Sequence, residues 1–173
     1  MNTPNNKRKK ESQDKIEKVF LQLIQKKNIE TISVSDICKL TGLNRSTFYA
    51  NYIDIYDLVE KVKLRMADEF ANNQYLKNSK QDSNGYINMF KEIKENQIFF
   101  RTYFKLEEIS KTPATIFNKE MAKKYYDNKY IDYHIEFFRA GLNAVIKKWL
   151  DNNCKESPEE MAEIIRSEYQ NKN

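Results

Sequence analysis

The chain has 173 residues, a formal net charge of +5, three glycines, three prolines and two cysteines; a domain of this size buries roughly 70 % of its unfolded surface and folds without a staple. Cys38 and Cys154 are too few for a disulfide framework or a metal-ligand cluster, so two free thiols and no metal or cofactor are expected. No apolar run approaches the roughly 20 residues that cross a bilayer, and the polar start has no apolar stretch after it to make a signal peptide, which points to a soluble cytoplasmic chain with no membrane partner.

Scarce Gly and Pro, abundant Lys, Glu, Ile and Leu, and the lack of alternating Val/Thr-rich runs predict an all-α protein of about nine helices. A flexible basic tail is expected over residues 1–11. Ser12 is placed to cap the first helix, whose Ile16, Val19, Phe20, Leu23 and Ile24 fall on one face and carry it to about Lys27. Ser33 and Asp36 have the spacing of a capping box that opens a short helix, with Ile37 and Leu40 expected to point inward. Gly42 follows as a left-handed stop and Leu43 as an apolar plug. Asn44 is placed to cap a second short helix and Asp54 a longer one carried by Leu58, Val59, Val62 and Met66. Helix, short helix, glycine turn, short helix, long helix is the order of a helix-turn-helix domain, expected over residues 12–70.

The polar stretch from Asn72 to Gly85 reads as a connector, after which residues 71–173 are expected to form a helical regulatory and dimerisation bundle. Tyr86, Met89, Phe90 and Ile93 make one helical face. Ile98, Phe99, Phe100, Tyr103, Phe104 and Leu106 make an aromatic patch, and a further segment from Ala114 to about Asp127 carries Ile116, Phe117, Met121 and Tyr125. A long stripe follows on Ile131, Ile135, Phe138, Leu142, Val145, Trp149 and Leu150. Ser157, Pro158 and Glu160 then open a last helix with Met161, Ile164, Ile165 and Tyr169 on its apolar face.

The placement of charge says more than its size. Residues 1–65 hold 13 Lys/Arg against 8 Asp/Glu, which leaves 17 of each for the rest of the chain, so the whole excess lies in the amino-terminal part. A polyanion such as a phosphate backbone suits that end, because neutralising it releases condensed counterions. The run Lys7-Arg8-Lys9-Lys10 is either part of that contact or a solvated tail.

The stretch Ile32 to Tyr52, and above all Gly42 followed by Thr47-Phe48-Tyr49, resembles the DNA-binding region of the TetR/AcrR family of transcriptional regulators. Tyr130 to Tyr169, with Phe137-Phe138-Arg139-Ala140-Gly141-Leu142 and Lys147-Lys148-Trp149-Leu150, resembles the carboxy-terminal domain of a Firmicutes-type branch of that family. The resemblance implies a repressor that binds duplex DNA as a homodimer and answers to a small-molecule effector.

In a helix-turn-helix the second short helix enters the major groove. By facing, Phe48 and Leu43 belong to the core. The candidate DNA contacts are Asn44, Arg45, Ser46, Thr47, Tyr49, Asn51 and Tyr52. Arg45 suits guanine and Asn51 adenine, although either can reach a phosphate instead. By resemblance Thr47 and Tyr49 contact the DNA backbone, and Ser33 and Ser35 sit where the preceding helix approaches phosphates. The chain departs from the family pattern at Ser35, where a longer donor is common, and at Ile55, where a lysine is usual.

The resemblance implies an effector pocket, for which Phe99, Phe100, Tyr103, Phe104, Phe117, Tyr125 and Tyr126 are the candidates; at helical spacing the same residues equally fill a solid core. The long stripe exceeds what one neighbour covers, which favours pairing with a second copy. The resemblance places that interface on the last two helices, with Ile135, Phe138, Gly141, Leu142, Val145, Trp149, Ile164 and Ile165 as its residues and Gly141 and Ala144 allowing close approach. A palindromic operator follows from two-fold symmetry. The alternative is a helical protein interaction module without specific DNA readout. No phosphate-cradling glycine loop, paired histidines or nucleophile with a base occurs, so no enzymatic activity is expected.

Overall fold

The computed structural model describes residues 4–72, 85–110 and 129–170, with side chains over 7–70, 85–110 and 129–168. The expected connector between Asn72 and Gly85, the segment from Ala114 to Asp127, and the side chain of Tyr169 lie outside the described residues. Among those described there are eight α-helices and no strand: α1 (Pro4–Lys26), α2 (Val34–Thr41), α3 (Arg45–Tyr49), α4 (Ile55–Asn72), α5 (Gly85–Glu95), α6 (Gln97–Ile109), α7 (Ile131–Asp151) and α8 (Pro158–Gln170). A 3-10 turn, Ile29–Thr31, separates α1 from α2. The chain divides into two compact units, Met1–Arg65 with Lys105–Pro113, and Met66–Phe104 with Ala114–Asn173.

Unit 1 is built around one apolar stripe. Ile16, Phe20, Leu23 and Ile24 of α1 are buried with Ile29, Ile32, Ile37, Phe48, Leu58, Val59 and Val62, as the helical spacing requires. The first helix starts earlier than its capping signal suggests. Ser12 lies inside α1, buried, with its hydroxyl donating to the Lys9 carbonyl at 2.8 Å. Residues 7–10 are therefore helical rather than a tail. Pro4 occupies the first helical position, where its missing N–H costs nothing, and Lys and Arg are good helix formers.

The other helix signals of unit 1 divide. Ser33 and Asp36 form the reciprocal capping box that opens α2. Asn44 stands at the cap position of α3 but makes no side-chain cap bond; its carbonyl accepts from the Thr47 and Phe48 amides instead. Asp54 caps α4 by accepting from the Asp57 amide at 2.8 Å. Leu40, expected to point inward, is 60 % exposed. The inward face of α2 falls on Ile37 and Cys38, a direction that one short helix turn cannot define from spacing alone.

Two lysines complete the unit. Lys105 donates to the Ile24 and Lys27 carbonyls at 2.7 and 3.1 Å, a cation at the negative end of α1. Lys63 is fully buried; it donates to the Ser110 hydroxyl and lies 3.7 Å from Glu60 and 3.4 Å from Glu107, while Ser110 donates to Glu60 at 2.8 Å. A lysine at such depth is tolerable only with its charge answered on several sides.

Unit 2 packs α5 against α8 around Trp149 of α7. The Trp149 ring meets Phe90 edge-on at 5.3 Å, and its indole N–H donates to the Glu156 carbonyl at 3.2 Å, so this large buried side chain keeps its one polar atom satisfied. Phe90, Ile93, Leu142, Ile146, Leu150, Met161, Ala162 and Ile165 fill the space around it. Ser157 and Glu160 exchange bonds of 2.7 and 3.1 Å to open α8. Arg101 donates to the Leu150 carbonyl and to Asn153 at the end of α7.

Gly42 ends α2 at φ +70°, and no atom lies within 4 Å of where a Cβ would stand. Gly42→Ala therefore meets backbone strain without a steric clash, and should lower the free energy of unfolding by about 1–2 kcal/mol in a urea titration. Gly42→Asn should cost less, because asparagine visits the left-handed region more readily.

Candidate nucleic-acid interface

Three local devices present α3. The capping box starts α2, with Ser33 N–H donating to Asp36 at 3.1 Å, the Ser33 hydroxyl donating to the same carboxylate at 2.8 Å, and the Asp36 amide donating back to the hydroxyl at 3.1 Å. These bonds from Ser33 hold the Asp36 carboxyl below its usual range. At the other end Gly42 turns the chain, and the Thr41 hydroxyl braces the turn by donating to the Ile37 carbonyl at 2.8 Å and accepting from the Leu43 amide at 3.3 Å. Phe48 then anchors α3. It is wholly buried, with its ring 5.5 Å from Tyr49 and 5.6 Å from Tyr52.

Burying Phe48 fixes which side of α3 faces out. Arg45, Ser46 and Tyr49 are exposed, Thr47 is half-buried, and Ser33, Ser35 and Asn44 are exposed beside them. Arg45 joins the two short helices: its guanidinium donates to the Ser35 hydroxyl of α2 at 3.5 Å and to the Tyr49 hydroxyl at 3.4 Å. The Tyr49 contact raises the Arg45 pKa further, so a permanent cation stands at the centre of a hydroxyl-rich surface.

Asn51 and Tyr52 do not belong to that surface. α3 ends at Tyr49, so helical facing no longer applies two residues later and both side chains turn into the core. The Asn51 amide nitrogen donates to the Thr47 carbonyl at 2.7 Å and to the Ser12 hydroxyl at 3.5 Å. The Tyr52 hydroxyl donates to Glu17 at 2.6 Å, and the other Glu17 oxygen takes Arg65 at 2.5 Å. Burial first, then the Glu17 contact, pushes the Tyr52 phenol well above its ordinary pKa, so it remains a donor. Glu17 is a positioning residue that spacing did not single out. Its signal was a carboxylate three residues before Phe20, on the apolar side of α1.

Several residues expected at a dimer interface serve unit 2 itself. Leu142, Trp149 and Ile165 are buried within it; Ile135, Phe138 and Val145 are half-buried; Gly141 and Ile164 are exposed. The outward face of α7 carries Tyr133, 78 % exposed, Phe137, 68 % exposed, and Gly141, at four-residue steps. An apolar face as wide as that of α7 does not declare in its sequence which part of it the chain itself will cover.

The aromatic candidates for a pocket also divide. Phe100, Tyr103 and Phe104 are buried, with Phe100 against Phe70 at 5.0 Å and against the half-buried Phe99 at 5.2 Å, and Tyr103 against Phe104 at 5.4 Å. Those three lie in the interior of unit 2. Phe117, Tyr125 and Tyr126 lie outside the described residues.

Residues 71–168 match the family model TetR_C_8, the transcriptional regulator C-terminal region. The chain belongs to this family of transcriptional regulators. The match lies wholly beyond the α2–Gly42–α3 segment. Two solved structures share the regulator's fold. The fatty acid degradation regulator FadR from Bacillus halodurans superposes with a TM-score of 0.62 at 13 % identity, covering 90 % of this chain and 92 % of that one. The dihydroxyacetone kinase operon activator DhaS gives 0.54 at 21 % identity, covering 92 % and 94 %. No curated protein sequence matches the regulator. Among its described residues no helix is long and apolar enough to cross a membrane, and no group of His, Cys, Asp and Glu is placed to hold a metal ion.

Tyr52→Phe leaves the buried Glu17 carboxylate with one donor fewer. Urea unfolding should show a loss of about 1–3 kcal/mol, the cost of an under-satisfied buried polar group.

Proposed function

We propose that this regulator binds duplex DNA as a homodimer, placing α3 of each protomer in successive major grooves of a palindromic operator, and that occupancy represses transcription. The observation that carries the reading is Arg45, exposed on α3 and held between Ser35 and Tyr49. A guanidinium pre-positioned by two hydroxyls loses little freedom on docking, and its fork matches the O6 and N7 of guanine. Ser33, Ser35, Ser46, Thr47 and Tyr49 surround it as short donors suited to phosphate and sugar oxygens. The side chains of Asn51 and Tyr52 support the surface from behind, through Ser12 and Glu17.

The dimer reading draws on the outward faces of α7 and α8. Tyr133, Phe137 and Gly141 of α7 and Ile164 of α8 offer apolar area with a small residue for close approach. Gly141 and Ile164 remain from the sequence-based set together with the half-buried Ile135, Phe138 and Val145, and the exposed Tyr133 and Phe137 join them, while Leu142, Trp149 and Ile165 are buried within unit 2. A small-molecule effector belongs to the same reading. Phe99 is the half-buried member of the described aromatic set, and thermal-shift screening with small aromatic compounds tests the site: a rise in melting temperature that Phe99→Ala abolishes supports it, and no shift with any compound removes it.

Selection from a random duplex library should return a palindromic site. Arg45→Ala should weaken binding to that site by about 10- to 100-fold in a gel shift, with sequence preference relaxed at one base pair of each half-site. A reporter driven from a promoter containing the site should then rise in expression. Equal affinity of Arg45→Ala and wild type would remove Arg45 from base readout. In sedimentation the free protein should run at twice its 20.7 kDa chain mass, with Phe137→Glu shifting it to a monomer; a monomeric wild type at micromolar concentration would remove the dimer.

A further inference from the structure

Arg45 draws its two partners from different helices. Its Nη1 donates at 3.5 Å to the Ser35 hydroxyl of α2, on the other side of the Gly42 turn, and its Nη2 donates at 3.4 Å to the Tyr49 hydroxyl of α3, one turn further on. Each hydroxyl stands on a fixed support. Ser35 lies in the first turn of α2, between the capping pair Ser33 and Asp36. The Tyr49 ring meets the wholly buried Phe48 edge-on at 5.5 Å.

The donors and acceptors left over decide what this arrangement can do. A guanidinium carries five N–H groups. Two of them go to Ser35 and Tyr49, and the remainder are enough for the O6 and N7 of one guanine. Among the described residues, Ser35 and Tyr49 enter these side-chain bonds only as acceptors, so each hydroxyl keeps its proton for a phosphate oxygen.

Both contacts are long for N–H to O bonds, and all three side chains are exposed. They aim the guanidinium rather than lock it. A phosphate that accepts from either hydroxyl polarises the O–H, which makes its oxygen a better acceptor and tightens its hold on Arg45.

We propose that Ser35 of α2 is a specificity-determining positioning residue: without touching a base it holds the Arg45 guanidinium, together with Tyr49, in the direction that reads guanine. The inference rests on the reading of α3 as the DNA-reading helix, and it assigns part of the sequence preference to the other short helix. Docking on phosphates and reading of the base are thereby coupled, since the hydroxyls that meet the backbone are those that aim Arg45.

The test uses the full chain, the duplex that the wild type selects from a random library, and a set of duplexes each altered at one base pair of a half-site. Competition gel shifts give the preference at each position as a ratio of affinities. Arg45→Ala marks the base pair that Arg45 reads. Ser35→Ala should lower the preference at that base pair by about two- to tenfold, the worth of one hydrogen bond, and leave the other positions unchanged. Ser35→Thr, which keeps the hydroxyl, should restore the preference, and Tyr49→Phe should lower it at the same base pair. Added to Arg45→Ala, Ser35→Ala should lower the preference no further, because the two act through one contact. Wild-type preference in Ser35→Ala, with or without an equal loss of affinity for every duplex, overturns the proposal. A further loss of preference in the Arg45→Ala background overturns it too, by making Ser35 a reader in its own right. In both cases Arg45→Ala still relaxes one base pair, so α3 remains the reader. Failure of the wild type to select any duplex, or wild-type preference at every position in Arg45→Ala, overturns the α3 reading and this inference together.

Discussion

Glu17 is a carboxylate on the buried side of α1, 6 % exposed, with the Tyr52 phenol on one oxygen and the Arg65 guanidinium on the other. An ionised carboxylate taken this far from water is tolerable only when both oxygens receive donors. The two donors come from different places: Tyr52 from the segment just after α3, and Arg65 from α4. Satisfying one charge therefore ties three parts of unit 1 to each other. Phe48 lies beside Tyr52 in the same core, so the direction in which α3 presents Arg45 follows from a constraint centred two helices away.

The same unit shows how electrostatics and packing divide the work. Most of its apolar stripe sets the helices together without direction, since burial of hydrocarbon rewards area rather than orientation. Direction comes from a few polar ties: Ser33 with Asp36, Lys105 on the carbonyl end of α1, Lys63 among Glu60, Glu107 and Ser110, and Arg45 between Ser35 and Tyr49. In the first three the charge is spent inside the protein. Arg45 and the cations at the start of α1 instead remain exposed, which suits an anionic partner.

Unit 2 follows a different rule. Its polar ties are mostly helix-end caps, such as Ser157 with Glu160 and Arg101 on the Leu150 carbonyl, and its interior is aromatic and aliphatic. Trp149 anchors that interior because its indole N–H finds the Glu156 carbonyl; without it, a ring of that size would bury an unmet donor. Large apolar side chains are also left on the outer side of α7, where Tyr133 and Phe137 follow one another at a helical turn. Area of this kind on a regulator is suited to covering by a second copy.

What the residues determine by themselves is local. The all-α class, the capping boxes at Ser33 and Ser157, the Gly42 stop and the anchor at Phe48 each depend on neighbours within about four positions, so periodicity and capping chemistry are enough to read them. The family likeness was legible for the same reason, in short motifs. Tertiary structure decided everything that depends on a distant partner. Asn51 and Tyr52 turned inward because α3 stops at Tyr49 and because Ser12 and Glu17 were there to receive them. Leu40 stays outside because the core-facing side of α2 falls on Ile37 and Cys38, and Leu142, Trp149 and Ile165 are buried within unit 2. Helical spacing defines a face, but which neighbour covers that face is set by residues tens of positions away, and no local pattern encodes them.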